Sequence, residues 1–115
     1  MISIKDKSVL FSLLSVEYHE MLIEILVWLV GEYPENLVIT CGYRPGDSGV
    51  HGTMPCRAVD LRSWTFKAPD RVCNYINMVF EYDYKRPEMK VALFHDVGQG
   101  LHFHIQVHPN TRKIT

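Results

Sequence analysis

Four side chains in this 115-residue chain could do chemistry together: His51, Asp60, His102 and His104. His51 belongs to a loop, Asp60 to the run Ala-Val-Asp-Leu-Arg at 58–62, and the two later histidines to Leu-His-Phe-His-Ile-Gln-Val at 101–107. Two imidazoles and one carboxylate make a tripod that leaves one position of a divalent ion open, the position catalytic zinc needs for water. Side chains alternate along a strand, so Asp60 points away from Val59 and Leu61. By the same rule His102 and His104 share one face, while Phe103 and Ile105 fill the other. A carboxylate buried on such a strand is costly unless a cation meets it. Arg44 or Arg57 could be that cation; a metal is the reading that His51 and the His-x-His pair favour.

His102, two residues from His104, is placed to donate to a developing oxyanion or to pass a proton, with His95 and Asp96 as the other candidates for general base. A hairpin turn centred on Gly98-Gln99 would set His95 opposite His102 on the same face. Arg44 is suited to pair bidentately with a substrate carboxylate. His19 has no neighbour at ligand spacing and reads as a surface or packing residue. His108, beside Pro109, reads as solvent exposed.

The elements that must hold these groups follow from local pattern. Tyr18, Leu22, Ile25, Leu26 and Leu29 recur at helical spacing and predict a helix over 16–31, capped by Ser15 and closed by Gly31 and Pro34. Pro69 and Asp70 open a second helix over 70–82, with Val72, Tyr75, Ile76, Val79 and Phe80 as its apolar face. Strands are expected over 37–41, 58–62, 89–94 and 101–107, the last two joined as a hairpin through 97–100. Residues 1–15 read as a docked arm or a short helix. Residues 45–49, Pro-Gly-Asp-Ser-Gly, form a turn-rich loop in which Asp47 and Ser48 are ordinary turn residues. The expected fold is α+β in a single domain, residues 1–115: two helices packed on one face of a small antiparallel sheet, with the metal site on the other face or at its edge.

Three segments together, TCGYRPGDSGVH at 40–51, AVDL at 58–61 and HFHI at 102–105, resemble the M15 group of zinc D-Ala-D-Ala carboxypeptidases. They are also similar to the wider clan of peptidoglycan peptidases and hedgehog signalling domains. The resemblance implies a hedgehog/DD-peptidase-like fold, with zinc held by His51, Asp60 and His104. It also implies a substrate pocket to which Tyr43, Arg44 and Ser48 contribute; beside it, the strand-face reading makes His102, with Arg44, the expected catalytic groups. The implied substrate is a peptidoglycan stem peptide, cut by an endolysin or a D,D-carboxypeptidase, with the small size leaning toward a phage enzyme.

Whole-chain properties bound the alternatives. A net charge of −1 gives no basic footprint, which argues against a nucleic-acid partner. The three cysteines, Cys41, Cys56 and Cys73, form no C-x-x-C pair and suit reduced thiols, with a Cys41–Cys56 bridge as the alternative. No signal-peptide pattern or membrane span is evident, so the expectation is cytoplasmic synthesis of a monomer that acts at the cell wall. Two rivals come from other classes. One is a non-catalytic zinc module of the same fold. The other is a non-haem iron oxygenase, for which the chain has too few strand signals.

Overall fold

The computed structural model describes residues 1–96 and 100–115. Five strands form one sheet in the order β1-β2-β3-β6-β5, where β1 is Ile2–Ile4, β2 Leu37–Cys41, β3 Ala58–Arg62, β5 Ala92–Asp96 and β6 Leu101–Gln106. β2, β3, β6 and β5 pair antiparallel, as their alternating patterns require. β1 lies parallel to β2, so the sheet is mixed rather than purely antiparallel. The expected hairpin turn falls on residues 97–99, outside the described residues. The pairing on either side does place His95 opposite His102.

Among the described residues there are three α-helices rather than two: α1 Lys7–Ser15, α2 Glu20–Glu32 and α3 Pro69–Val79. α1 exists because Asp6 caps it, its carboxylate accepting from the N–H groups of Ser8 and Val9 at 3.0 and 3.2 Å. Ser15 therefore ends a helix instead of starting one. α2 begins four residues later than its apolar spacing suggests. The segment before it is tied to Cys56 by two backbone bonds, His19 N–H to Cys56 O and Cys56 N–H to Glu17 O, both 2.8 Å. Those bonds hold Tyr18 extended, so it is not part of the helical stripe, and His19 becomes the cap, its Nδ1 accepting from Met21 N–H. Leu22, Ile25 and Leu29 face the core as expected. α3 stops at Val79 because the next two residues form β4 (Phe80–Glu81), paired with β7 (Arg112–Lys113).

One sheet face packs the core. Ile39, Val59, Leu61, Phe103 and Ile105 meet Leu22, Ile25 and Leu29 of α2 and Val72, Ile76 and Val79 of α3. α3 also reaches the outer edge of the sheet: the Asn77 amide donates to Ala92 O and accepts from Ala92 N–H, both 2.9 Å. The opposite face carries Asp60, Arg62, His102 and His104, the alternation read from sequence. No helix among the described residues is long and apolar enough to cross a membrane.

The C-terminal turn is held by a buried carboxylate. Asp83 accepts from Lys85 N–H (3.0 Å), the Asn110 amide (3.1 Å) and Arg86 Nε (3.1 Å). His108 is half-buried beside it rather than exposed, with Nδ1 3.8 Å from the carboxylate. The Lys85 bond, the other donors and the His108 ring together outweigh burial and lower the Asp83 pKa to about 2. A carboxyl depressed on folding stabilises above its unfolded value, about 3.9, and that contribution is lost as pH falls toward 2. Melting curves between pH 6 and pH 2, taken as on the order of the range where carboxylates titrate, should show a smaller acid-induced drop for Asp83→Asn than for wild type. Equal drops would show that Asp83 is not a source of acid sensitivity.

Candidate metal centre

Asp60 stands at the middle of the sheet, opposite His104 on β6 and Cys41 on β2. It is buried, and its Oδ1 lies 3.0 Å from His104 Nδ1 and 3.2 Å from His51 Nε2. Its Oδ2 lies 3.9 Å from both His102 Nε2 and Arg44 Nη2. His51 and His104, the two imidazoles expected to complete a tripod, therefore both contact Asp60.

His51 reaches the sheet from a single 3-10 turn, Val50–Gly52. Its loop is fastened by Arg44 N–H to His51 O at 2.8 Å. Gly52 has no room for a side chain, because a Cβ would run into the backbone of Asp47. Gly42 is equally confined: a Cβ there would collide with the Tyr18 hydroxyl. That hydroxyl accepts from Tyr43 N–H (2.8 Å) and donates to Ser12 O (3.1 Å), locking the start of the loop to α1.

The hydrogen-bond partners fix which ring nitrogen of each histidine carries the proton. His51 Nδ1 faces Gly42 O at 2.9 Å; a carbonyl only accepts, so Nδ1 bears the hydrogen, and in a neutral ring Nε2 presents its lone pair to Asp60. His102 Nδ1 faces Gly100 O at 3.2 Å, which sets the same tautomer. For His104 the order is reversed. Gln106 Nε2 donates to Lys90 O at 2.8 Å, so its Oε1 must accept from His104 Nε2, 2.9 Å away, and the Nδ1 lone pair turns to Asp60. In their neutral forms all three rings would turn a lone pair toward one carboxylate. Lone pairs and carboxylate repel unless a proton or a cation stands between them, and this donor set is the kind a divalent ion satisfies.

Burial pushes the Asp60 carboxyl upward, but contacts with His104 and His51 outweigh it and hold the group well below the usual carboxylate range. His95, whose ring centre is 5.0 Å from that of His102, is pushed down by burial and by the neighbouring His102 and His104.

Cys41, His51 and Asp60 bring ligand atoms within 4.8 Å of one another, a group that can hold a metal ion. Cys41 is there because β2 carries a bulge. Ile39 pairs with Leu61 but Cys41 with Asp60, so one extra residue turns Cys41 from the core face to the site face. All three cysteines are free thiols. Burial raises the Cys41 thiol pKa, partly offset by Arg44.

A polar groove of about 400 Å³ opens beside Asp60, lined by Lys5, Thr40, Cys41, Arg44, Arg62, Trp64, Leu101 and His102 among others. Arg62 stacks over Trp64 at 4.9 Å. Arg44 lies in this lining, but Tyr43 and Ser48 do not: Tyr43 turns toward α1, and Ser48 is exposed in the loop. Arg57 does not meet Asp60; its guanidinium reaches Val107 O at 3.5 Å. Asp96 spends Oδ1 on Gly100 N–H at 3.0 Å. A larger hollow of about 510 Å³ on α2, lined by Tyr18, Ile23, Val27 and Trp28 among others, contains none of these groups.

Sequence reading missed Cys41 and Gln106. Gln106 had a usable signal, since it stands two residues beyond His104 on the same strand face. Cys41 had none, because simple alternation puts it with Leu37 and Ile39. No family model matches the chain, and no curated protein or solved structure matches it.

Gln106 can be tested directly. Replacing it with Leu removes the acceptor that sets the His104 tautomer, and metal affinity should fall roughly 10–100-fold, the usual scale for a group that orients a ligand. Competition with a chelator measures it, with Gln106→Glu, which keeps an acceptor, as the variant expected to retain affinity. Unchanged affinity in Gln106→Leu would mean that His104 does not ligate through Nδ1.

Proposed function

We propose that the chain is a zinc-dependent peptidase of hedgehog/DD-peptidase-like fold that hydrolyses peptidoglycan stem peptides. The observation that carries the metal is the convergence of the His51, His102 and His104 ring nitrogens on the buried Asp60 carboxylate. His51 Nε2, Asp60 Oδ1 and His104 Nδ1 are the atoms that would hold zinc. Bound there, zinc supplies Lewis-acid polarisation of a carbonyl and a water acidic enough to ionise near neutral pH.

The remaining roles belong to the chain's own residues. His102 Nε2 is free to take a proton, because Nδ1 is committed to Gly100 O. His95 is the next base in reach. Arg44, with its side chain half exposed at the rim, offers its guanidinium to a carboxylate of the peptide. Arg62 and Lys5 line the same groove, so its charge suits an anionic peptide. The peptidoglycan substrate rests on the motif resemblance around Tyr43, Arg44 and His51, and the charged groove agrees with it. A non-catalytic zinc module is the second reading. It is favoured by Cys41, whose thiol lies with His51 and Asp60 in a group able to hold an ion; with His104 added, four protein groups would leave no place for water.

Two variants test the proposal. Elemental analysis after dialysis should find about one zinc per chain in wild type and little in His104→Ala, in line with a three-ligand site. His102→Ala should keep its zinc while peptidoglycan hydrolysis falls roughly 10²–10⁴-fold, the scale for losing a positioned acid–base group. Iron in place of zinc, or equal zinc in His104→Ala, would sink the metal assignment. Full zinc with unchanged hydrolysis would remove His102 from the mechanism.

A further inference from the structure

We infer that Cys41 is a fourth protein ligand of the metal centre, closing in the resting state the position that water would otherwise take. This rests on the zinc reading above and goes beyond its three ligands. Three observations carry it. The Cys41 Sγ stands within 4.8 Å of the ligand atoms of both His51 and Asp60. The bulge in β2 is what puts it there: without the extra residue the side chain would enter the core beside Ile39. His51 is 5% exposed, its Nδ1 is committed to Gly42 O, and its Nε2 lies 3.2 Å from Asp60 Oδ1 facing the same space, so the cluster presents a buried ring nitrogen and a buried carboxylate side by side, the pairing a cation satisfies.

Among the described residues the thiol has no strong competing partner. Its nearest acceptor is Gly42 O at 3.7 Å, a long contact even for sulfur. Coordination breaks the S–H bond. The electron pair stays on Sγ and forms the bond to the ion, the proton passes to solvent, and any water in that position leaves. One thiolate, two imidazoles and one carboxylate make a tetrahedral set that zinc accepts, and four protein groups describe a closed site. Catalysis at such a centre requires the thiolate to give way. His102 Nε2, 3.9 Å from Asp60, is positioned to act once it has.

Cobalt(II) substitution separates this inference from the reading beneath it. Wild-type protein loaded with cobalt should show the visible absorption of a tetrahedral site together with an intense sulfur-to-cobalt charge-transfer band in the near ultraviolet. Cys41→Ser should keep the visible bands and lose the near-ultraviolet one, with circular dichroism confirming the fold. Cys41→Ala gives the same readout if serine perturbs the bulge. A visible tetrahedral spectrum without the charge-transfer band in wild type overturns Cys41 as a ligand and leaves the three-ligand centre standing. A band that survives in Cys41→Ser also overturns it and moves the sulfur to Cys56. Failure of wild type to retain cobalt or zinc overturns the metal centre itself.

Discussion

A buried anion at the centre of a β-sheet is the constraint around which this molecule is arranged. The Asp60 carboxylate is largely removed from water and cannot be left without positive charge nearby at tolerable cost. Arg44 at 3.9 Å, half exposed, answers only part of that demand. Its other neighbours are imidazoles whose outer nitrogens are all committed elsewhere, to Gly42 O, Gly100 O and the Gln106 amide. Each of those commitments removes the option of donating a hydrogen to Asp60 from a neutral ring. The surroundings of the carboxylate therefore select for an added cation more strongly than the ligand residues alone suggest.

The scaffold matches that demand in rigidity. Asp60 and His104 sit on adjacent central strands in direct register, and both helices that pack the opposite face bury their apolar stripes against the same strands. A site on strands inside a sheet is held more precisely than one on loops. The one imidazole of the cluster supplied by a loop, His51, is steadied by the Tyr18 hydroxyl, which fixes the base of that loop to α1, and by the Arg44–His51 backbone bond. Gly42 and Gly52 are the positions where this fastening leaves no space for a side chain.

Much of the site was legible from period-two alternation. That rule put Asp60, His102 and His104 on one face, and the register confirms it. What it could not show is a bulge, because an extra residue in β2 changes no local propensity; it is visible only in the pairing of Ile39 with Leu61 and of Cys41 with Asp60. The start of α2 was misplaced for a similar reason. Tyr18 fits the helical stripe, but bonds from residues 17 and 19 to Cys56, nearly forty positions away by order of magnitude, override it. β1 is three residues long and gains meaning only beside β2. The hedgehog/DD-peptidase-like topology rests on motifs rather than on elements, and the mixed sheet with three helices is the coarser architecture observed.

Asn77 carries a consequence for how this molecule meets its neighbours. β5 is the last strand of the sheet, and an outer strand offers unpaired backbone groups to any passing extended chain. By engaging both the N–H and the carbonyl of Ala92, the amide on α3 stands in for a sixth strand at that point. Another polypeptide cannot add there without first breaking two hydrogen bonds and prying a helix from the core. The molecule thereby resists edge-to-edge growth into larger β-assemblies at the start of β5, using one side chain where other sheets use a proline or a lysine.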